Sequence, residues 1–190
     1  MLFRVIYYDN ANVSHDLQKD KIMAIKIAIA QTKGGSGKTT TTINLAGALH
    51  EKGYSVFVAD LDTDKPDAYI WLEKKQVNSI DFDEIKKRDF RTRIAKLSTK
   101  YDYIIMDTPP NLGDSAIQAL SLSDYLIIPM QPSGMDYGHA MDTQDLAKKL
   151  NIESKFSINR YRSGTKDSQE ILKSFGNNGF KNYFTLLVDF

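Results

Sequence analysis

The stretch Lys33-Gly34-Gly35-Ser36-Gly37-Lys38-Thr39-Thr40 constrains this chain more than any other feature, because of what stands on either side of it. Before it, Ile25 to Ala30 is a short apolar run with isoleucines at alternate positions, the pattern of a buried strand. After it, Ile43, Ala46 and Leu49 recur at helical spacing until Gly53, a residue suited to a helix C-terminus. Strand, glycine-rich loop and helix in that order make a phosphate-binding unit. Small residues let successive backbone N–H groups converge on phosphate oxygens, and the helix N-terminus adds its positive dipole end. Lys38 would reach the outer phosphates and the Thr39 hydroxyl would ligate magnesium, with Gly34, Gly35, Ser36, Gly37 and Thr40 completing the cradle. The generic motif G-x-x-x-x-G-K-[ST] places a glycine five positions before Gly37, where this chain has Thr32 with Lys33 beside it.

Further apolar runs, Tyr54 to Asp60, Tyr101 to Asp107 and Tyr125 to Met130, suit strands covered on both faces. Helices are expected at about 67–75, 83–100, 114–122 and 136–150. The alternation implies an α/β fold of the P-loop NTPase type, with a doubly wound, mostly parallel sheet and right-handed crossovers. Lys155 to Asn159 and Tyr183 to Val188 would add two strands around a helix near 167–175. A length of 190 residues against roughly 150 per domain makes residues 23–190 one domain. Residues 1–22 precede the motif-bearing strand as an N-terminal arm or extension: an edge strand, a flexible arm, or the product of a mis-assigned start with Met23 as the alternative.

Composition narrows the chemistry. With 42% hydrophobic and 26% charged residues the chain can bury a core and solvate its surface, which excludes a disordered polymer. It has no cysteine, which removes disulfides, zinc clusters, iron–sulfur clusters and thiol nucleophiles together. A net charge of +1 supplies no global field toward nucleic acid or membrane, so any such binding must be local. No segment approaches the roughly 18 consecutive apolar residues of a spanning helix, and a cytoplasmic protein is expected.

The pattern K-G-G-x-G-K-T-T, from Lys33 to Thr40, resembles the deviant Walker A box of the ParA/MinD family of partition and positioning ATPases. The resemblance runs from about Ile25 to Phe175 and implies a role for each matched residue. Lys33 would cross a nucleotide-sandwich homodimer to touch the partner subunit's phosphates, as an arginine finger does. Asp60-Leu61-Asp62 looks like the family's D-x-D switch, in which Asp62 orients the attacking water; the family's usual Pro-Gln continuation is replaced here by Thr63-Asp64. Asp107, followed by Thr108-Pro109-Pro110, resembles the Walker B carboxylate and would hold Mg2+ through water. Pro129 to Ser133 resembles the family's P-x-Q-P-S segment, and Asn159 would recognise adenine, against the competing reading of an ordinary turn asparagine.

By this resemblance the chain would be a slow, partner-stimulated ATPase, a dimeric switch for segregating plasmid or chromosomal DNA. Its cofactors would be ATP and Mg2+, and its partner a ParB-like centromere-binding protein. A membrane-positioning relative would need a basic amphipathic helix at its C-terminus, which Thr185 to Phe190 does not supply. The nitrogenase iron-protein relatives require cysteines. The chain stops short of the basic, alanine-rich segment expected of small partition ATPases, so a truncated, noncatalytic nucleotide-binding remnant is the rival expectation.

Lys86 to Lys100 carries seven basic residues against one acid, Asp89. Phe90, Ile94, Leu97 and Tyr101 would share one stripe facing the sheet, leaving the cations around the outside. Lys86, Lys87, Arg88 and Arg91 are therefore candidate contacts to the phosphate backbone of nonspecific DNA, with a solvated helix face as the alternative. His15, His50 and His139 show no metal-ligand spacing, and Trp71 is expected to serve core or interface packing.

Overall fold

The computed structural model describes residues 23–111 and 113–161, together with 165, 166, 169, 170 and 173. In chain order the elements are β1 (Ile25–Ile29), α1 (Lys38–Glu51), β2 (Val56–Asp60), α2 (Asp67–Lys74), β3 (Asp81–Glu84), α3 (Phe90–Leu97), β4 (Tyr103–Asp107), α4 (Asp114–Leu122), β5 (Tyr125–Met130), α5 (Gly134–Lys149) and β6 (Glu153–Ile158). The strands form one six-stranded sheet in the order β3-β2-β4-β1-β5-β6. Every pairing is parallel, as the alternation of strand and helix requires.

Period-2 alternation sorts the strand residues onto two faces. Ile27, Ile29, Val56, Val58, Ile105 and Ile127 pack with Ala46 of α1 and with Ala68 and Leu72 of α2. Their neighbours in sequence, among them Ala28, Phe57, Ala59, Ile104, Met106 and Leu126, pack with Phe90 and Ile94 of α3, Leu120 of α4 and Ala140 of α5. Helices thus cover both faces, which is why the strands read as continuous apolar runs. On the same face as α4, Ala28 of β1 and Ala30 just after it are small, and α4 answers with Ala119 in the same cluster.

One expected helix is corrected. The segment 83–100 is not helical throughout: Asp81–Glu84 pairs in parallel with β2 as the edge strand β3, Lys87–Asp89 is a short 3-10 turn, and α3 begins only at Phe90. The apolar stripe itself is real, with Phe90 and Ile94 buried and Leu97 and Tyr101 packed against them. Three acids on β3, Asp81, Asp83 and Glu84, concealed a strand whose one apolar residue, Phe82, packs inward beside the buried Ile80 that precedes it. Charges of this kind keep an edge strand from pairing with other chains. Trp71 is 38% exposed on α2 and not a core residue. The expected helix near 167–175 is described at 169, 170 and 173, all helical; the strand expected at 183–188 and the arm 1–22 lie outside the described residues.

Phe90 is the largest side chain that α3 buries, at 2% exposure. Replacing it with alanine should cost about 3–5 kcal/mol of unfolding free energy, measured by denaturant titration; a loss below about 1 kcal/mol would show that α3 is not docked.

Candidate nucleotide-binding site

At the C-terminal edge of the sheet the chain leaves β1 and turns through residues 30–37 into α1, whose first residue is Lys38. Gly35 and Gly37 hold φ of 74° and 101°, a left-handed backbone that strains any residue with a side chain. Gly37 has a second reason to be glycine, since a Cβ there would lie 2.1 Å from the Asn159 amide nitrogen. Lys38 is 8% exposed and its ammonium donates to the Gln31 carbonyl at 3.4 Å. Burial lowers its pKa, and the carboxylates of Asp107 and Asp62 pull the other way.

Two of the predicted acids end adjacent strands at one level: Asp60 of β2 is the register partner of Asp107 of β4. Asp107 Oδ2 accepts from the Thr39 hydroxyl at 2.8 Å, bringing together the two residues expected at magnesium. Burial, with Asp60 beside it, pushes the Asp107 carboxyl up to about 7. Asp60 rises to about 6 through its own burial, although three backbone N–H groups restrain it. Those donors are Asp62 at 3.0 Å, Ala68 at 2.9 Å and Tyr69 at 3.0 Å. One carboxylate therefore holds both the loop carrying Asp62 and the first turn of α2. Asp64 is solvent-exposed in that loop.

Lys33 stands at the rim, where its ammonium pairs with Asp136, a carboxylate 1% exposed at the start of α5. Asp136 also accepts from the Gln131 N–H at 3.0 Å and the Ser133 hydroxyl at 3.2 Å. Burial raises its pKa, but Lys33, the Gln131 N–H and Ser133 more than offset this and keep the carboxyl below the usual range. The Gln131 side chain donates to the Gly35 carbonyl at 2.7 Å, and the Asn111 N–H donates to the Thr32 carbonyl at 3.1 Å. Sequence reasoning missed Asp136, although Ser133-x-x-Asp136 is a capping pattern, and the Ser133 hydroxyl indeed accepts from the Asp136 N–H. It also missed Gln31, fully buried and joined to Thr143 of α5 at 3.2 Å.

Asn159 follows β6, with its N–H on the Met130 carbonyl at 2.7 Å. Its amide nitrogen donates to the carbonyls of Ser36 at 2.9 Å and Gly37 at 3.3 Å, and to Thr41 Oγ1 at 3.2 Å. The residue that the resemblance assigns to adenine is thus tied to the phosphate loop.

Among the described residues, the buried side-chain polar atoms Gln31 Nε2, Ser36 Oγ and Asn159 Oδ1 lack a partner, and Thr42 Oγ1 and Asp107 Oδ1 have at most each other. All lie on this loop or beside it. Buried polar atoms ordinarily have partners, so the cluster fits a polar ligand. Thr39 and Asp107 are hard oxygen donors of the kind magnesium takes when phosphates and waters complete its shell. No group of three or more His, Asp or Glu suited to a metal occurs among the described residues, so the donor set suits such a shared ion and not an all-protein cage.

The basic cluster is partly neutralised. Lys87 pairs with Asp114, Arg88 with Asp89 and Arg93 with Asp83. Lys86, Arg91, Lys96 and Lys100 are exposed and carry no ion pair among the described residues. No helix of the described residues is long and apolar enough to cross a membrane.

The raised carboxyls give a pH dependence with a definite sign. Folded, Asp60 and Asp107 keep protons up to about 6 and about 7 that the unfolded chain releases near 4. The ligand-free protein should lose stability as pH rises through that window. Its melting temperature is expected to fall from about pH 4 to about pH 8, and Asp107→Asn should raise it at the higher pH while leaving the lower nearly unchanged. An Asp107→Asn protein that melts below wild type at the higher pH would contradict this.

Comparison with known proteins agrees with the geometry. Residues 27–182 match the CobQ/CobB/MinD/ParA nucleotide binding domain. A protein of Methanocaldococcus jannaschii is 29% identical, over 78% of this chain and 78% of its own length. The sporulation initiation inhibitor protein Soj of Bacillus subtilis is 32% identical over 55% of this chain, which spans 57% of Soj. The crystal structure of a plasmid partition protein from Borrelia burgdorferi superposes with a TM-score of 0.65 at 28% identity, covering 82% of this chain and 88% of that one. With its parallel sheet, its lysine-led phosphate loop and its paired strand-end aspartates, the chain is a ParA-type member of the CobQ/CobB/MinD/ParA nucleotide-binding family.

Proposed function

We propose that this protein is an ATP-driven dimeric switch for DNA partition. The observation that carries the reading is the phosphate loop itself: Lys38 and Thr39 converge with Asp107 at the buried strand end, while Lys33 stays at the rim with 37% of its side chain exposed. A buried lysine suits phosphates held within one subunit. A half-exposed lysine on the same loop suits phosphates held by another.

The loop N–H groups from Gly34 to Thr40 and the Lys38 ammonium would bind the triphosphate. Magnesium, held by Thr39 and through water by Asp107, would neutralise charge on the β- and γ-phosphates. Asp62, fixed through its N–H by Asp60, would position the water that attacks the γ-phosphorus, giving ADP and phosphate. Lys33 reaches a second subunit's phosphates only by leaving Asp136, so dimer formation would exchange one ion pair for another. Hydrolysis then removes the charge that holds the dimer. A ParB-like centromere-binding protein would stimulate that step. Lys86 and Arg91, exposed and without an ion pair among the described residues, would touch nonspecific DNA, with Lys87 and Arg88 able to join only by giving up Asp114 and Asp89.

Steady-state ATP hydrolysis, with and without nonspecific duplex DNA, tests the reading. Weak turnover that rises with DNA and is lost in Lys38→Ala is expected; turnover no greater than that of Lys38→Ala would favour a noncatalytic nucleotide-binding protein. Size-exclusion chromatography with ATP tests the dimer. Lys33→Ala should bind ATP within about threefold of wild type, a change below ~1 kcal/mol, yet neither dimerise nor hydrolyse it, and Asp62→Ala should accumulate as the ATP dimer. Unchanged behaviour of Lys33→Ala would remove the cross-subunit role.

A further inference from the structure

We propose that Asn159 is a positioning residue that aims the phosphate-binding N–H groups, an inference that rests on the nucleotide reading above. In a trans peptide the C=O and the N–H point to opposite sides. Asn159 grips the Ser36 carbonyl at 2.9 Å and so turns the Gly37 N–H the other way; the Gly37 carbonyl, which the Thr41 N–H already holds at 2.8 Å as the first helical bond of α1, takes a second, longer contact from Asn159 that reinforces the outward aim of the Lys38 N–H. The third contact, to Thr41 Oγ1, extends the grip into the first turn of α1. A primary amide has two hydrogens to donate, and with three acceptors around Nδ2 both are spent on the protein.

The grip is rigid at both ends. Asn159 is 4% exposed, and its own N–H continues the β5–β6 ladder onto Met130. On the loop side, the space that its amide occupies exists only because residue 37 has no Cβ. An asparagine that served only to read the base would not need to touch the loop's carbonyls. This one reaches three loop and helix acceptors, and the end of the sheet thereby sets the peptide planes of the cradle before a ligand arrives.

Tripolyphosphate, which has the phosphates and no base, separates the two roles. Isothermal titration would compare magnesium tripolyphosphate and magnesium ATP on wild type, Asn159→Ala and Asn159→Asp, with circular dichroism confirming the fold. Aiming the cradle requires both ligands to weaken by a similar factor, on the order of tenfold for Asn159→Ala. Asn159→Asp should be worse, since it sets carboxylate oxygens against two carbonyls. If Asn159→Ala does not fold, Asn159→Ser carries the same comparison. A loss confined to ATP would overturn the proposal in favour of base recognition, and so would unchanged affinity for both ligands. A wild-type chain that binds neither ligand would instead overturn the nucleotide reading itself.

Discussion

The sheet ends in a row of acids, and much of the site is arranged around that row. Glu84, Asp60 and Asp107 are register partners across β3, β2 and β4, and the last two are buried with like charge beside like. Two buried carboxylates at one level repel and resist ionisation. The neighbouring elements compensate from different sides. Lys38 brings a cation, Thr39 a hydroxyl, and the start of α2 a pair of N–H groups. The lysine carries a desolvation cost of its own, so the acids and the cation each make the other's burial tolerable.

The phosphate loop is held at several separate points, each from a different segment. Asn111 takes the Thr32 carbonyl, Gln131 the Gly35 carbonyl, and Asn159 the carbonyls of Ser36 and Gly37. These segments follow β4, β5 and β6, so the loop that leaves β1 is fixed by the ends of three other strands. Lys33 adds a fourth tie, to α5 through Asp136. Preorganised backbone donors are effective because nothing has to be reordered when charge arrives.

The sequence was most informative where local and global signals agreed. The run Ile25 to Ala30, the glycines at 35 and 37 and the helical spacing after Thr39 each have one sensible reading, and together they locate the loop. The strand-end positions of Asp60 and Asp107 were equally legible, because both close apolar runs. β3 was not. A four-residue edge strand with three acids has no apolar run to announce it, and the basic stretch that follows invites a longer helix. The partners of Lys33 and Gly35 were hidden for another reason: Asp136 and Gln131 are about a hundred residues away in sequence, at separations of 103 and 96. No periodicity reports a contact made by folding the sheet. Asn159 was found by pattern, but its bond to the loop carbonyls is a fact of three dimensions.

Asp60 clasps the first turn of α2, and α2 carries Trp71, the one tryptophan in the chain. That residue is 38% exposed, so its emission would respond to changes in how the helix sits. The carboxylate that fixes the helix also fixes the backbone of Asp62. One carboxylate therefore couples the tryptophan-bearing helix to the loop that carries Asp62, so a movement of that loop would be readable in the indole emission without any label attached to the surface.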